Sequence, residues 1–139
     1  MPNIRYQRLA SERLPLANKF YKSQRSPMRV GRSEQVWVAQ QAEIIAACCL
    51  KPVADGHWLS ALLVAREQRQ QGVASQLLNT LRSHSQGPIW LFCAPQLLGF
   101  YQRLGFTPCP DLPGELTERL QRYQRKQPLL ALVAAQPGG

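Results

Sequence analysis

The segment from Leu62 to Leu78, LLVAREQRQQGVASQLL, limits the fold more than any other stretch of the chain. An apolar run ends there and a short polar loop follows through Arg69, Gln70, Gln71 and Gly72. An amphipathic helix pattern then begins, with Val73, Leu77, Leu78 and Leu81 on one face. A strand, a glycine turn and a helix N-terminus in that order make a site for an anion. The first-turn N–H groups of a helix lack intrahelical partners, and the helix dipole places partial positive charge there. Glycine at position 72 lets the backbone approach a ligand with no Cβ in the way. Phosphate is the guest that suits such a loop.

The flanking pattern places this segment within a mixed sheet. His57 to Val64 (HWLSALLV) is a nearly continuous apolar strand, the pattern of a strand covered on both faces. The helix spans about Val73 to Ser83, and Gly87 and Pro88 break it. Ile89 to Cys93 (IWLFC) is a short buried strand. Strand, helix and strand in that order imply parallel pairing and a right-handed crossover. Upstream, Asn3 to Leu9 reads as a strand. Leu14 to Ser23 reads as a helix with Pro15 in its first turn and Leu16, Phe20 and Tyr21 along one side. Ser26 to Ser33 is a loop. Gln35 to Gln40 and Glu43 to Leu50 are hairpin strands joined across Gln41 and Ala42, and Pro52 to Gly56 is a turn.

Downstream, Gln96 to Leu104 is a helix stopped by Gly105, and Phe106 begins a short strand. Pro108, Pro110 and Pro113 mark a rigid link. Glu115 to Lys126 is a helix whose apolar face is Leu116, Leu120 and Tyr123. Leu129 to Ala135 is a last strand, and Gln136 to Gly139 is expected to fray. The 139 residues form one domain of α+β (mixed α/β) class, long enough to bury a core.

Charge and cysteines narrow the setting. The net charge is +9, and residues 1 to 32 hold eight of the seventeen Lys and Arg against one acid, Glu12. Such a field attracts nucleic acid, an acidic substrate or a polyphosphate cofactor; a solvated basic face is the plainer reading. No stacking motif or recognition-helix signature supports nucleic acid, which ranks last. No apolar run reaches membrane-span length, and the charged N-terminus lacks an apolar signal core, so a cytoplasmic protein without membrane contact is expected. Cys48, Cys49, Cys93 and Cys109 form no C-x-x-C pair and have no histidine cluster beside them. Buried, reduced thiols and no metal site are therefore expected.

The phosphate loop is neither G-x-G-x-x-G nor G-x-x-x-x-G-K-[ST]. It reads R-x-x-G-x-A, with Arg69, Gly72 and Ala74. This resembles the [Q/R]-x-x-G-x-[G/A] pyrophosphate loop of the GNAT superfamily, the acetyl-CoA-dependent N-acyltransferases. Phe100-Tyr101-Gln102-Arg103-Leu104-Gly105-Phe106 resembles that family's F-Y-x-x-x-G-F segment, about thirty residues on with one strand between. The resemblance covers roughly Asn3 to Phe106, and the last strand more loosely. It implies a single N-acetyltransferase domain over residues 1–139. The implied fold is a central twisted, mostly antiparallel sheet of six to seven strands flanked by helices, with the fourth and fifth strands parallel and splayed.

The resemblance also implies roles. Backbone N–H groups of Gln71, Gly72, Val73, Ala74 and Ser75 would hold the coenzyme A diphosphate, beside Gln70. Arg69 would add charge or shape the loop. The pantetheine arm would lie against backbone at Leu62, Leu63 and Val64, and an N–H near Val64 would steady the oxyanion. Tyr101 matches the tyrosine that protonates the leaving thiolate; a packed helix-face aromatic is the alternative. His57, at the head of its strand, is a candidate general base, the alternative being a strand-end histidine facing water. Glu34, Glu43 and Asp55 are further options, as is bulk water.

Cys93 as an acyl carrier is weighed against a buried small hydrophobe. This chain carries Arg66 where many members have proline, and Ala94 where many have asparagine. The expected reaction is acetyl transfer from acetyl-CoA to a small-molecule or peptide amine, a homodimer being compatible with it. The alternative is a non-catalytic acyl-CoA sensor.

Overall fold

The computed structural model describes residues 3–135, and within them seven strands make one sheet. They are β1 (Arg5–Arg8), β2 (Gln35–Gln40), β3 (Ile44–Val53), β4 (Gly56–Val64), β5 (Ile89–Cys93), β6 (Thr107–Pro108) and β7 (Leu130–Ala134). The spatial order is β1-β2-β3-β4-β5-β7-β6. Neighbours run antiparallel except β4 and β5, which are parallel. Four helices flank the sheet: α1 (Leu14–Ser23), α2 (Val73–His84), α3 (Leu98–Arg103) and α4 (Gly114–Gln124). This is the mixed, mostly antiparallel architecture expected above. Gln136 to Gly139 lie outside the described residues. Among the described residues, no helix is long and apolar enough to cross a membrane.

Strand periodicity sorts the core onto two faces. Ala46, Cys48 and Leu50 of β3, Leu59 of β4 and Ile89, Leu91 and Cys93 of β5 point to one face. There they meet Val73, Leu77, Leu78 and Leu81 of α2, with Tyr101 and Phe106. Ala47 and Cys49 point the other way, against Ala17, Phe20 and Tyr21 of α1. Further along that second face, Val53, Trp58 and Trp90 receive Leu116 of α4. So α2 and α3 cover one side, and α1 and α4 share the other. Each fully buried leucine of α2 contributes roughly 2 kcal/mol through the water-accessible area it removes.

Several expectations need correcting. Leu16 is 44% exposed. The buried stripe of α1 is Ala17, Phe20 and Tyr21, at i, i+3 and i+4, which turns Leu16 outward. β3 does not stop at Leu50 but continues through Pro52 to Val53, leaving a turn of only Ala54 and Asp55. Proline is tolerated there because β2 pairing ends at Leu50, so β3 has a single neighbour beyond it. The helix expected over Gln96 to Leu104 is a 3-10 turn at Pro95–Leu97 followed by α3, with Gly105 (φ +94°) behind its end.

Candidate active site

β4 and β5 pair only at His57↔Ile89 and Trp58↔Trp90 and then part. The result is a wedge in the sheet, closed at the Gly56 end and open toward Val64. The closed end is drawn tight by two glycines. A Cβ on Gly56 would fall 2.1 Å from the Pro88 carbonyl oxygen, and one on Gly87 would fall 2.1 Å from that of Asp55. His57 N–H also donates to the Pro88 carbonyl at 2.9 Å.

Partway along the wedge β4 carries a bulge. Ala47 faces Leu63 but Cys49 faces Ser60, so β4 has one residue more than β3 over this span. Ala61 accommodates it at φ +56°. A bulge bends its strand and sharpens the local twist. Here it lies on the stretch of β4 that has left β5. The Tyr21 hydroxyl, brought in by α1, donates to the Ala61 carbonyl at 2.8 Å.

Beyond Val64 the loop takes a 3-10 turn at Arg66–Gln68, then passes through two left-handed residues, Gln70 (φ +64°) and Gly72 (φ +78°). Two side chains brace it. Arg69 Nε donates to the Val64 carbonyl at 3.1 Å, and Gln71 Nε2 donates to the Glu67 carbonyl at 3.3 Å. The first helical bond of α2 is from Gln76 N–H to the Gly72 carbonyl, and no side chain caps the helix. The N–H groups of Val73, Ala74 and Ser75 are thus left without a capping acceptor. A Cβ on Gly72 would meet no atom within 4 Å; it would project into open space beside these donors.

That space is a cleft of about 690 Å³. Leu62, Leu63 and Val64 line it from β4; Gln68, Arg69, Gln70 and Gly72 from the loop; Val73, Ala74 and Ser75 from α2; and Leu97, Phe100 and Tyr101 from the far side. No carboxylate is among them. Uncapped N–H donors, a left-handed glycine and an apolar channel without acids suit a long ligand with a diphosphate at one end and an apolar arm.

Tyr101 is 8% exposed and packs edge-on to Phe100 and Phe106, with ring centroids 5.0 and 5.8 Å away. Burial, and then the nearby Cys93 and Cys48, push its phenol up to about 12. The group therefore stays protonated and able to donate throughout the neutral range. Cys93 is itself buried, which raises its thiol and suits a packing role. Cys48 and Cys49 point to opposite faces, as their adjacency in a strand requires.

The structure therefore brings together ten of the twelve sequence-derived site residues and leaves two apart. Gln71 does not line the cleft, because its side chain turns back to Glu67. His57 stands at the closed end of the wedge, on the α2 side of the sheet with Leu59, and does not line the cleft either. Its Nδ1 is buried without a partner. Gln68, Leu97 and Phe100 were missed as cleft residues. Two of them carry a sequence signal: Phe100 opens the F-Y-x-x-x-G-F segment, and Leu97, at 45% exposure, falls in the apolar helical stretch just before it.

A family model for the acetyltransferase (GNAT) domain matches residues 32–108, more than half of the chain. Tetrahymena GCN5 superimposes with a TM-score of 0.70 at 15% identity, covering 95% of this chain and 96% of that one. The N-acetylglutamate synthase of Neisseria gonorrhoeae, complexed with coenzyme A and L-arginine, gives a TM-score of 0.70 at 12% identity; the match covers 99% of this chain and 34% of that larger one. The Escherichia coli ribosomal-protein-S18-alanine N-acetyltransferase gives 0.66 at 15% identity, over 99% and 96% of the two chains. No curated protein sequence matches with significance.

Proposed function

The chain belongs to the GNAT acetyltransferase family, whose donor is acetyl-CoA, and from that premise we propose that it is a cytoplasmic N-acetyltransferase acting by direct attack on a primary amine of a small molecule or peptide. One observation carries this reading: a single cleft holds both the uncapped start of α2 and the buried, protonated Tyr101.

When bound, acetyl-CoA supplies an acetyl group activated as a thioester; the amine nitrogen bonds to its carbonyl carbon, the carbon–sulfur bond breaks and the amine gives up a proton. The protein's part is to bind, orient and move protons. N–H groups of Gly72 to Ser75 take the diphosphate at the positive end of the α2 dipole. Arg69, held on the Val64 carbonyl, fixes the turn rather than offering its charge freely. The edge of β4 freed from β5 pairs with the amide-bearing arm, and an N–H near Val64 faces the developing oxyanion. Tyr101 gives its proton to the departing thiolate. A free thiol titrates near 8.5, below Tyr101, but a thiolate formed in the same dry pocket is raised by the same burial, which narrows the gap. With His57 outside the cleft and no acid in its lining, the amine's proton leaves to solvent.

The test has two parts. Calorimetric titration with coenzyme A should give binding, and free-thiol release from acetyl-CoA over a panel of polyamines, amino acids, aminoglycosides and peptide N-termini should show turnover. Absence of heat at millimolar coenzyme A would overturn the reading. Binding without thiol release from any amine would favour an acyl-CoA sensor, which the absence of a titratable base in the cleft lining makes the second reading.

A further inference from the structure

Both ends of α2 bear on the site. Its first turn supplies the uncapped N–H groups of the cleft, and its last turn carries Arg82. The Arg82 guanidinium reaches the turn behind α3. Its Nη1 donates to the Leu104 carbonyl, and its Nη2 donates to the Ala135 carbonyl, just past β7, at 3.2 Å. The guanidinium carbon lies 5.5 Å from the centroid of the Phe106 ring, which is fully buried. A Cβ on Gly105 would fall 3.0 Å from Nη1, so the glycine between Leu104 and Phe106 leaves the arginine its place.

Both residues that Arg82 meets in this turn lead to Tyr101. Leu104 caps α3, and its N–H donates to the Tyr101 carbonyl at 3.0 Å. Phe106 N–H donates to the same carbonyl at 3.1 Å, and its ring packs edge-on to the Tyr101 ring. With six residues, α3 is too short to hold a helical form by itself, so contacts at its ends fix where it lies. The 3-10 turn at Pro95–Leu97 leads into it, and Arg82 grips the far end. A cation on the last carbonyl groups of a helix is favourable. Among the described residues Arg82 makes no ion pair, so its fork of donors is given to main-chain carbonyls. A lysine offers a point charge on a flexible stem and lacks that planar fork.

We infer that Arg82 is a positioning residue for Tyr101: it ties the turn behind α3 to α2, so that the helix bearing the diphosphate donors also fixes the phenol. The inference rests on the transferase reading above and adds the residue that aims its acid.

The experiment is a double-variant cycle with a spectroscopic arm. Arg82→Gln should lower kcat by roughly tenfold or more, the scale set by a small misplacement of a reacting group. The Kd for coenzyme A should hold within about twofold, since the donors stand about 14 Å away along α2. In the Tyr101→Phe background the same substitution should cost less than about twofold more, because residues acting through one group are not additive. A full further loss in that background overturns the inference. NMR of protein isotope-labelled in its tyrosine rings supplies the second readout. The Tyr101 signal, assigned by its absence in Tyr101→Phe, should move in Arg82→Gln while those of Tyr6, Tyr21 and Tyr123 stay. Arg82→Lys keeps the charge and one contact; it should give smaller changes of the same sign, and it carries the test should Arg82→Gln not fold. Wild-type kcat in every folded variant, or an unmoved Tyr101 signal, overturns the inference. Thiol release from no amine, with a Tyr101 signal that still moves, sinks the transferase and leaves Arg82 as the residue that places Tyr101.

Discussion

The hydroxyl of Tyr21 on α1 donates a 2.8 Å hydrogen bond to the carbonyl of Ala61, the left-handed residue at the β4 bulge. A helix on one face of the sheet thereby holds the strand that bounds the cleft on the other. Tyr21→Phe keeps the ring and removes the bond. It should cost about 1–2 kcal/mol, because the Ala61 carbonyl loses its partner. Thermal unfolding should drop by several degrees, and coenzyme A should bind more weakly by calorimetry. An unchanged affinity would show that the bulge keeps its shape without the tyrosine.

Gly72→Ala should separate ligand binding from folding. At φ +78° an L-residue is strained by roughly 1–2 kcal/mol, which a melting curve would register as a modest loss. Gly72 lines the cleft beside Val73 to Ser75, so a methyl added there should lower coenzyme A affinity tenfold or more, equivalent to about 1.4 kcal/mol.

Tyr101→Phe should spare binding and remove turnover. The ring stays packed between Phe100 and Phe106, so the Kd for coenzyme A is expected to hold. Loss of the proton donor should lower kcat by about 100-fold or more. A variant turning over at the wild-type rate would reassign the hydroxyl to packing.

Alkaline pH should destabilise the fold. Burial raises the Tyr21 and Cys48 groups, and raises Cys49 and Tyr101 to about 12 each. The folded protein holds these protons after the unfolded chain has released them. Stability from these groups is therefore complete below the ordinary thiol value near 9, and is lost as pH climbs through about 12. Melting temperature measured from pH 7 to 11 should be level at first and then decline. A Cys48→Ala, Cys49→Ala double variant should show a shallower decline.

Thiol reagents should divide the cysteines. Cys109 is half-buried, whereas Cys48, Cys49 and Cys93 are buried. One thiol should react quickly in the native protein and three only on unfolding. Cys109→Ser should abolish the fast phase, which also removes the background from a thiol-release assay.

The segments whose pattern survives any tertiary context were legible in the chain. Leu14–Ser23, Gln35–Gln40 and Ile89–Cys93 have the limits their periodicity gave. The loop at Gly72 was legible because strand, glycine and helix start are local signals. What escaped depends on neighbours distant in sequence. Pro52 lies in a strand only because β2 has already ended, and no local rule reports that. The bulge at Ala61 gives no sign of itself, since alanine is not a residue that marks φ +56°. His57 was placed by its position at a strand head, but nothing along one strand says which end of it parts from β5. Arg119 over Trp58 joins segments sixty residues apart, and an arginine on a polar helix reads as solvent-facing until the sheet beneath it is known.

Gly56 and Gly87 give the molecule a fulcrum. At those two residues the turn before β4 and the loop before β5 approach each other's main chain too closely to admit a side chain. Any breathing of the two strands must pivot there and grow toward the Val64 end. The jaws are thus stiff at the root, beneath Arg119, and compliant at the tip, beside the Gly72 turn. A guest would be sorted by shape where the strands meet and accommodated by motion where they separate.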